Sequence, residues 1–307
     1  MSNTELFVRK VPGGQFTVVD ERMCCGDVFW VNSTRTTSGA DAVGYGMSPD
    51  RPCLTIDYAI GLAANSNDDL ILVASEHAET VTSSITMDKI GLSIVGLGTG
   101  MDRPVITPNG AIDCVTMTAA RSTMENFIFA GPGTDTQTAD VNIAAQYCTL
   151  KNTYHIGSAG TENKVSIVTI TADGDDCLID GIEIHNAVVE LTGGGISLEG
   201  AATNVEIKNF FIHDEIGLAL GAIFDGATAT GVLIHDGYAS NAKAATVVLE
   251  FGNNSEGSVH KVFINGRHTT IASNVTAGTG MSFFETYVVE EAQKSGLIQV
   301  APAVDTD

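Results

Sequence analysis

Three groups of side chains in this sequence could do chemistry. Carboxylates cluster in Asp173-Gly174-Asp175-Asp176. Two imidazoles, His185 and His213, lie with Glu183 and Asp214 near them in sequence, and a third, His77, lies in Ser75-Glu76-His77-Ala78-Glu79. Glycoside hydrolysis needs two or three carboxylates held about 5–9.5 Å apart. Elimination on a uronic acid needs a base for the proton, helped by calcium on carboxylates. A histidine pair beside a carboxylate can bind a metal or exchange protons. No HExxH, GxSxG or phosphate-cradling glycine loop occurs. The expectation is therefore no catalytic set and no cofactor, with the metal question open. Asp173, Asp175 and Asp176 read as a solvated turn with at most weak calcium affinity. His185 and His213 read as an exposed ladder, and His77 as a loop hydrogen-bonder.

The bulk composition narrows the classes further. Lys plus Arg is 15 and Asp plus Glu is 37, a net charge of −22, while 44% of the 307 residues are hydrophobic. That is too apolar for a disordered chain. No stretch of about 18 apolar residues reads as a membrane span, and the negative charge argues against nucleic acid as a partner. The six cysteines, Cys24, Cys25, Cys53, Cys114, Cys148 and Cys177, form no CxxC pair and no zinc spacing. They read as small apolar core residues of a chain made in a reducing cytosol. The opening Met1–Lys10 lacks the basic-then-apolar shape of a secretory signal.

The elements that would position these residues come from a repeat. A pattern of apolar-x-Asn/Gly/Asp reads Ile94-Val95-Gly96, Met124-Glu125-Asn126, Leu150-Lys151-Asn152, Ile179-Asp180-Gly181, Ile207-Lys208-Asn209 and Ile234-His235-Asp236, with steps of 30, 26, 29, 28 and 27 residues. A seventh copy is expected near Val262-Phe263-Ile264-Asn265-Gly266. A second series lies between, with Met117, Ile143, Ile170, Leu198, Phe224 and Leu249 at steps of 26, 27, 28, 26 and 25. The units are short, alternating and β-branched, with turn residues between them, which is strand-turn-strand chemistry. One such unit per repeat implies a parallel β-helix, each repeat forming one coil. The expected fold is all-β, a single right-handed parallel β-helix of about seven coils. The turn residues should adopt left-handed backbone. Met124, Leu150, Ile179, Ile207 and Ile234 should form an interior stack. Four residues before each turn come Ser122, Cys148, Cys177, Val205 and Val232, so Cys148 and Cys177 should be core neighbours.

An open solenoid end exposes strand edges and needs a cap. Ile56, Ala59, Ile60 and Ala63 mark one face of a short helix, a natural plug. The expected organisation is an N-terminal arm (1–27), an N-terminal cap with the short helix (28–80), the β-helix (81–280), and a C-terminal cap and tail (281–307). Phe283, Phe284, Tyr287 and Val288 are expected to cap the last coil. The arm carries Arg9, Lys10 and Arg22 against Glu5, Asp20, Glu21 and Asp27, close to neutral on an acidic chain.

The stretches Phe29-Trp30-Val31-Asn32-Ser33, Gly46–Pro52, Thr55–Ile60, Ile71–Thr80 and Ile94–Gly98 resemble the opening of pectate-lyase-like right-handed parallel β-helix proteins, nearest to small ones encoded among tailed-bacteriophage virion genes. Lyases of that superfamily use Arg or Lys on the outer face of the coils. Of Arg9, Arg22, Arg35, Arg51, Arg103, Arg121 and Arg267, only Arg121 and Arg267 fall in the repeat region, about five coils apart. Gly174-Asp175-Asp176 resembles the paired aspartates of polygalacturonases, without their companion His-Gly and Arg-x-Lys elements. The resemblance implies a non-enzymatic bacteriophage virion protein: a capsid decoration or surface protein, assembled in the host cytoplasm, partnered by the major capsid protein or another virion protein, and forming a homo-oligomer, commonly a trimer in such proteins. The alternative is a tailspike-like polysaccharide depolymerase or glycan-binding β-helix, against which the aromatic content of 6% weighs.

Overall fold

The computed structural model describes residues 26–131, 136–157, 164–186, 190–226, 228–244, 246–267, 274–290 and 295–298. The N-terminal arm to residue 25, with Arg9, Lys10, Arg22, Cys24 and Cys25, and the acidic tail from 299 lie outside the described residues.

Alternation of apolar and polar residues makes each short segment a strand with one face inward. Those strands wind as a right-handed parallel β-helix with three stacks. The first contains Val28–Val31, Leu70–Val73, Ser93–Gly96, Thr123–Glu125, Thr149–Lys151, Leu178–Asp180 and Glu206–Lys208. The N-terminal halves of Val232–Asn241 and Glu256–Gly266, then Gly280–Phe284, complete it. The second includes Tyr154–Ile156, Glu183–Asn186, Phe211–Asp214 and the C-terminal halves of those two long strands. It ends at Thr286–Glu290, against which Ser295–Ile298 pairs antiparallel. The third has eight strands, from Ile85–Met87 to Val275–Thr276, so about seven turns separate its first and last rungs.

The interior stack forms as the repeat requires. Ile71, Ile94, Met124, Leu150, Ile179, Ile207, Ile234, Val259 and Phe283 occupy successive rungs, and all are buried. Cys148 and Cys177 are buried free thiols on adjacent rungs, the amide of Leu178 donating to the carbonyl of Cys148. The second to fifth turns of the repeat have left-handed backbone at Asn126, Asn152, Gly181 and Asn209 (φ 69°, 49°, 75° and 51°). The side-chain Nδ2 of Asn152 donates to Asn126 Oδ1 at 2.8 Å, and that of Asn209, above the side-chain-free Gly181, donates to the Asp180 carboxylate instead.

Three register expectations are corrected. Gly96 is not left-handed. The copy after Asp236 (φ 54°) turns at Lys261 (φ 50°), and Glu285 (φ 48°) follows. Val262–Ile264 instead begins the next leg, with Ile264 beside Ala239. Lysine and glutamate are not turn-forming types, so the left-handed conformation there is imposed by the stacked rungs on either side. In the third stack Leu198 pairs with Asp225, not Phe224, and Leu249 pairs with Ile223. The one-residue slip places Ile223 in the inward Val141-Val168-Ile196 column. It buries Asp225, whose carboxylate accepts from the Ser255 hydroxyl and the Ala229 amide. Those two donors make an acid tolerable where an aliphatic was expected.

The helix spans Ile56–Leu62, N-capped by Thr55, and buries Ile56, Ala59 and Ile60 against the first coil. Val28–Val31 and Leu70–Val73 on either side of it pair with each other and continue the first stack. At the far end Phe283 and Val288 point inward, while Phe284 and Tyr287 are about half exposed: two of the four expected capping residues face outward, because alternation forbids neighbours from sharing a face.

Candidate functional site

The outer surface of the second stack gathers the polar and aromatic groups. His185 and His213 are direct register partners, their ring centroids 5.4 Å apart. The carboxylate that joins them is neither Glu183 nor Asp214. Asp214 is buried and accepts from the Asn186 amide group and the backbone N–H groups of Gly217 and Ala242. That anchors the turn, and the amide of Glu215 donates to Asn186 O, so Glu215 is carried back over the imidazoles. Its Oε1 lies 3.0 Å from His213 Nε2 and 3.6 Å from His185 Nε2. The hydrogen bond from His213 holds the Glu215 carboxyl below its ordinary pKa. His213, Asp214 and Glu215 line a cleft of about 340 Å³ with Tyr238, Ser240, Asn265 and Arg267.

Beside this cleft runs a column the composition hides. Phe211, Tyr238, Phe263 and Tyr287 occupy successive rungs at one outward position. Phe211, Phe263 and Tyr287 are 46%, 42% and 53% exposed. Phe211 and Tyr238 stack at 5.0 Å, and Tyr238 and Phe263 at 5.8 Å, so neighbouring rings cover each other's faces and the edges meet solvent. Few aromatics are present, but the winding lines them up.

Below Phe211 the same column continues through Glu183 and Tyr154. Arg103 reaches it. Its guanidinium donates to Asn152 O at 3.0 Å and Gly100 O at 2.7 Å, and it sits over the Tyr154 ring. A smaller cleft of about 220 Å³ there is lined by Arg103, Asn152 and Glu183 among others. Burial lowers the Arg103 pKa, opposed by the nearby Glu183 charge. Arg103 thus joins Arg121 and Arg267 as an arginine of the coils, within the expected 81–280 span although not counted with the repeat. Arg121 (φ 59°) lies 3.8 Å from Asp68, five rungs from Arg267, and the two share no site.

The aspartate run is a turn. Asp175 accepts from the amide and hydroxyl of Thr203 at 2.7 and 2.9 Å, and left-handed Asp176 accepts from Asn204. His77 is buried, accepting from the Ser33 amide and lying 3.1 Å from Glu79, the structural role expected of it.

Sequence reasoning missed an interior polar cluster. His155 occupies the inward column of Phe129, Ile184 and Ile212, and its ring stacks on Phe129 at 4.7 Å. Asp140 lies 2.9 Å from its Nδ1 and receives Lys164 Nζ at 2.7 Å on both oxygens. All three side chains have 0% exposure. A carboxylate only accepts, so Nδ1 of His155 carries the proton and Nε2 faces the Thr153 hydroxyl at 2.9 Å. The available signal was the His155 position, three residues after the turn at Asn152, where neighbouring coils hold apolar residues. Burial lowers the His155 pKa against the pull of Asp140, so the folded ring takes up its proton at a lower pH than the unfolded chain, which protonates near 6.5. The unfolded state then binds more protons, and stability falls as pH drops below about 6.5, by at most roughly 1.4 kcal/mol per pH unit for one proton. His235 has the opposite shift, raised by its hydrogen bonds to Asp236 and then Glu206; its contribution is full below 6.5 and is lost as pH rises through its folded value. NMR titration should show His235 protonating at a higher pH than a free imidazole and His155 at a lower one.

No family model matches this chain, and no curated protein matches it. Among solved structures it is similar to pectate lyase Pel9A, at 13% identity and TM-score 0.49 over 88% of this chain and 78% of that one. A rhamnogalacturonan lyase aligns at 9% identity and TM-score 0.43 over 90% of each chain. A GH136 lacto-N-biosidase from Eubacterium ramulus aligns at 11% identity and TM-score 0.40 over 87% of this chain and 67% of its own. The structural neighbours are pectate-lyase-like right-handed parallel β-helix proteins.

Proposed function

We propose that this chain is a non-enzymatic structural protein of a bacteriophage virion, a capsid decoration or surface protein attached to the major capsid protein and self-associating as a homo-oligomer. The observation that carries the reading is the edge-on aromatic column Phe211-Tyr238-Phe263-Tyr287. Stacking covers the faces that Phe211, Tyr238 and Phe263 turn to one another, leaving little open face for a sugar, and the ring edges form a rigid apolar stripe for protein packing. The parallel ladder between coils makes that stripe stiff, so little ordering entropy is lost when a partner covers it. The net charge of −22 would keep decorated particles dispersed. The phage-like opening stretch supports the same reading.

Mass spectrometry of purified particles should find the protein at a fixed ratio to the major capsid protein. The F211S/Y238S/F263S variant should lose attachment while retaining its strand spectrum. Absence of the protein from particles would end the proposal.

A second reading, a glycan-binding or depolymerising β-helix, is favoured by two clefts that each bring an arginine and a glutamate into their lining, Arg103 with Glu183 and Arg267 with Glu215. New reducing or unsaturated ends after incubation with acidic polysaccharides would establish it.

A further inference from the structure

We propose that His185, His213 and Glu215 bind one divalent transition-metal ion of the zinc class at the mouth of the larger cleft. The three donor atoms lie within 4.8 Å of one another. Tetrahedral bonds of about 2.0–2.1 Å place donors roughly 3.3 Å apart, and the observed Glu215–His213 and Glu215–His185 separations of 3.0 and 3.6 Å bracket that value. A second observation is independent of the spacing. Nε2 of His185 is shielded from solvent and makes no hydrogen bond, although the ring is 42% exposed and could turn outward to water. A nitrogen held dry, with only the Glu215 carboxylate 3.6 Å away and beyond hydrogen-bond reach, presents a lone pair that a cation between the two would satisfy.

The donor set selects the ion. Two imidazoles and one carboxylate suit zinc, cobalt, nickel or copper; calcium and magnesium prefer all-oxygen cages. The support is rigid. His185 and His213 stand on adjacent rungs of one parallel sheet, and Phe211 stacks against His213. Glu215 is fixed by the Asp214-anchored turn, so the ligands need little rearrangement. Two coils would be stapled together, and the remaining coordination position would face the cleft beside Tyr238 and Arg267.

The test is calorimetric titration of the full chain with zinc chloride, with cobalt(II) absorption as a report of coordination geometry. One equivalent should bind, with a tetrahedral cobalt band. His185→Ala and His213→Ala should each weaken binding by more than about tenfold. His235→Ala should leave it unchanged, because His235 belongs to a separate group with Glu206 and Asp236. In the unaltered protein zinc should shift the ring signals of His185 and His213, a readout that does not depend on variants folding. Absence of binding, full-strength binding by the H185A/H213A variant, ring shifts confined to other histidines, or displacement of zinc by equimolar calcium would each overturn the proposal.

Discussion

Replacing Lys164 with methionine is expected to destabilise the fold by about 3–5 kcal/mol, although no surface contact changes. Lys164 is the cation for a carboxylate with no access to water: Nζ meets both oxygens of Asp140, and the carbonyl of Ala130 takes a further hydrogen bond at 3.0 Å. Removing the ammonium leaves Asp140 with the Gln137 side chain and a neutral His155 as partners. The penalty is that of a buried unpaired charge rather than the worth of one ion pair. Removing both charges tests this account. The D140L/K164M double variant should recover most of the loss, because apolar replacement of a buried pair is often neutral or better. Urea unfolding of the two single variants and the double gives the coupling directly. Additive losses would mean that the two side chains do not form one unit.

Ile179→Ala is expected to cost about 2–5 kcal/mol and to change the shape of the transition. Ile179 is fully buried between Leu150 and Ile207, midway along the column of the first stack. In a solenoid each coil contacts only its neighbours, so stability is a sum of coil and interface terms. A cavity in a central coil weakens two interfaces at once and should let the two halves unfold separately, seen as a broadened or two-step denaturation curve. The same truncation at Leu62, 36% exposed at the helix end, should have a far smaller effect. Equal losses at both sites would contradict a stacked interior.

Much of this was legible beforehand. Recurrence at one period, with apolar residues two before and four before each turn, placed Leu150, Ile179, Cys148 and Cys177 inside, and the helix face Ile56-Ala59-Ile60-Ala63 marked the plug. Legibility ended where a residue type disagreed with its position. Lys261 and Glu285 turn the chain without being turn formers, and Asp225 and His155 sit inside without being apolar. At those positions neighbouring coils override local preference, and a reading of one coil at a time misassigns them. The His185–His213 pairing was visible because both follow their turn by four residues; the joining carboxylate, Glu215, was not, because the fold of the turn after Asp214 decides which side chain returns.

The sequence by itself determined the winding: short alternating strands at a repeat of roughly 27 residues have no other way to bury their apolar faces. Only the tertiary structure decided what lies beside what. From Ile71 onward, residues 23 to 30 apart meet across a rung, so Asp140 finds Lys164, Phe211 finds Tyr238 and His185 finds His213. A shift of one residue in any coil reverses its faces, and that register is set by the summed hydrogen bonds and packing of the whole stack rather than by any segment in it.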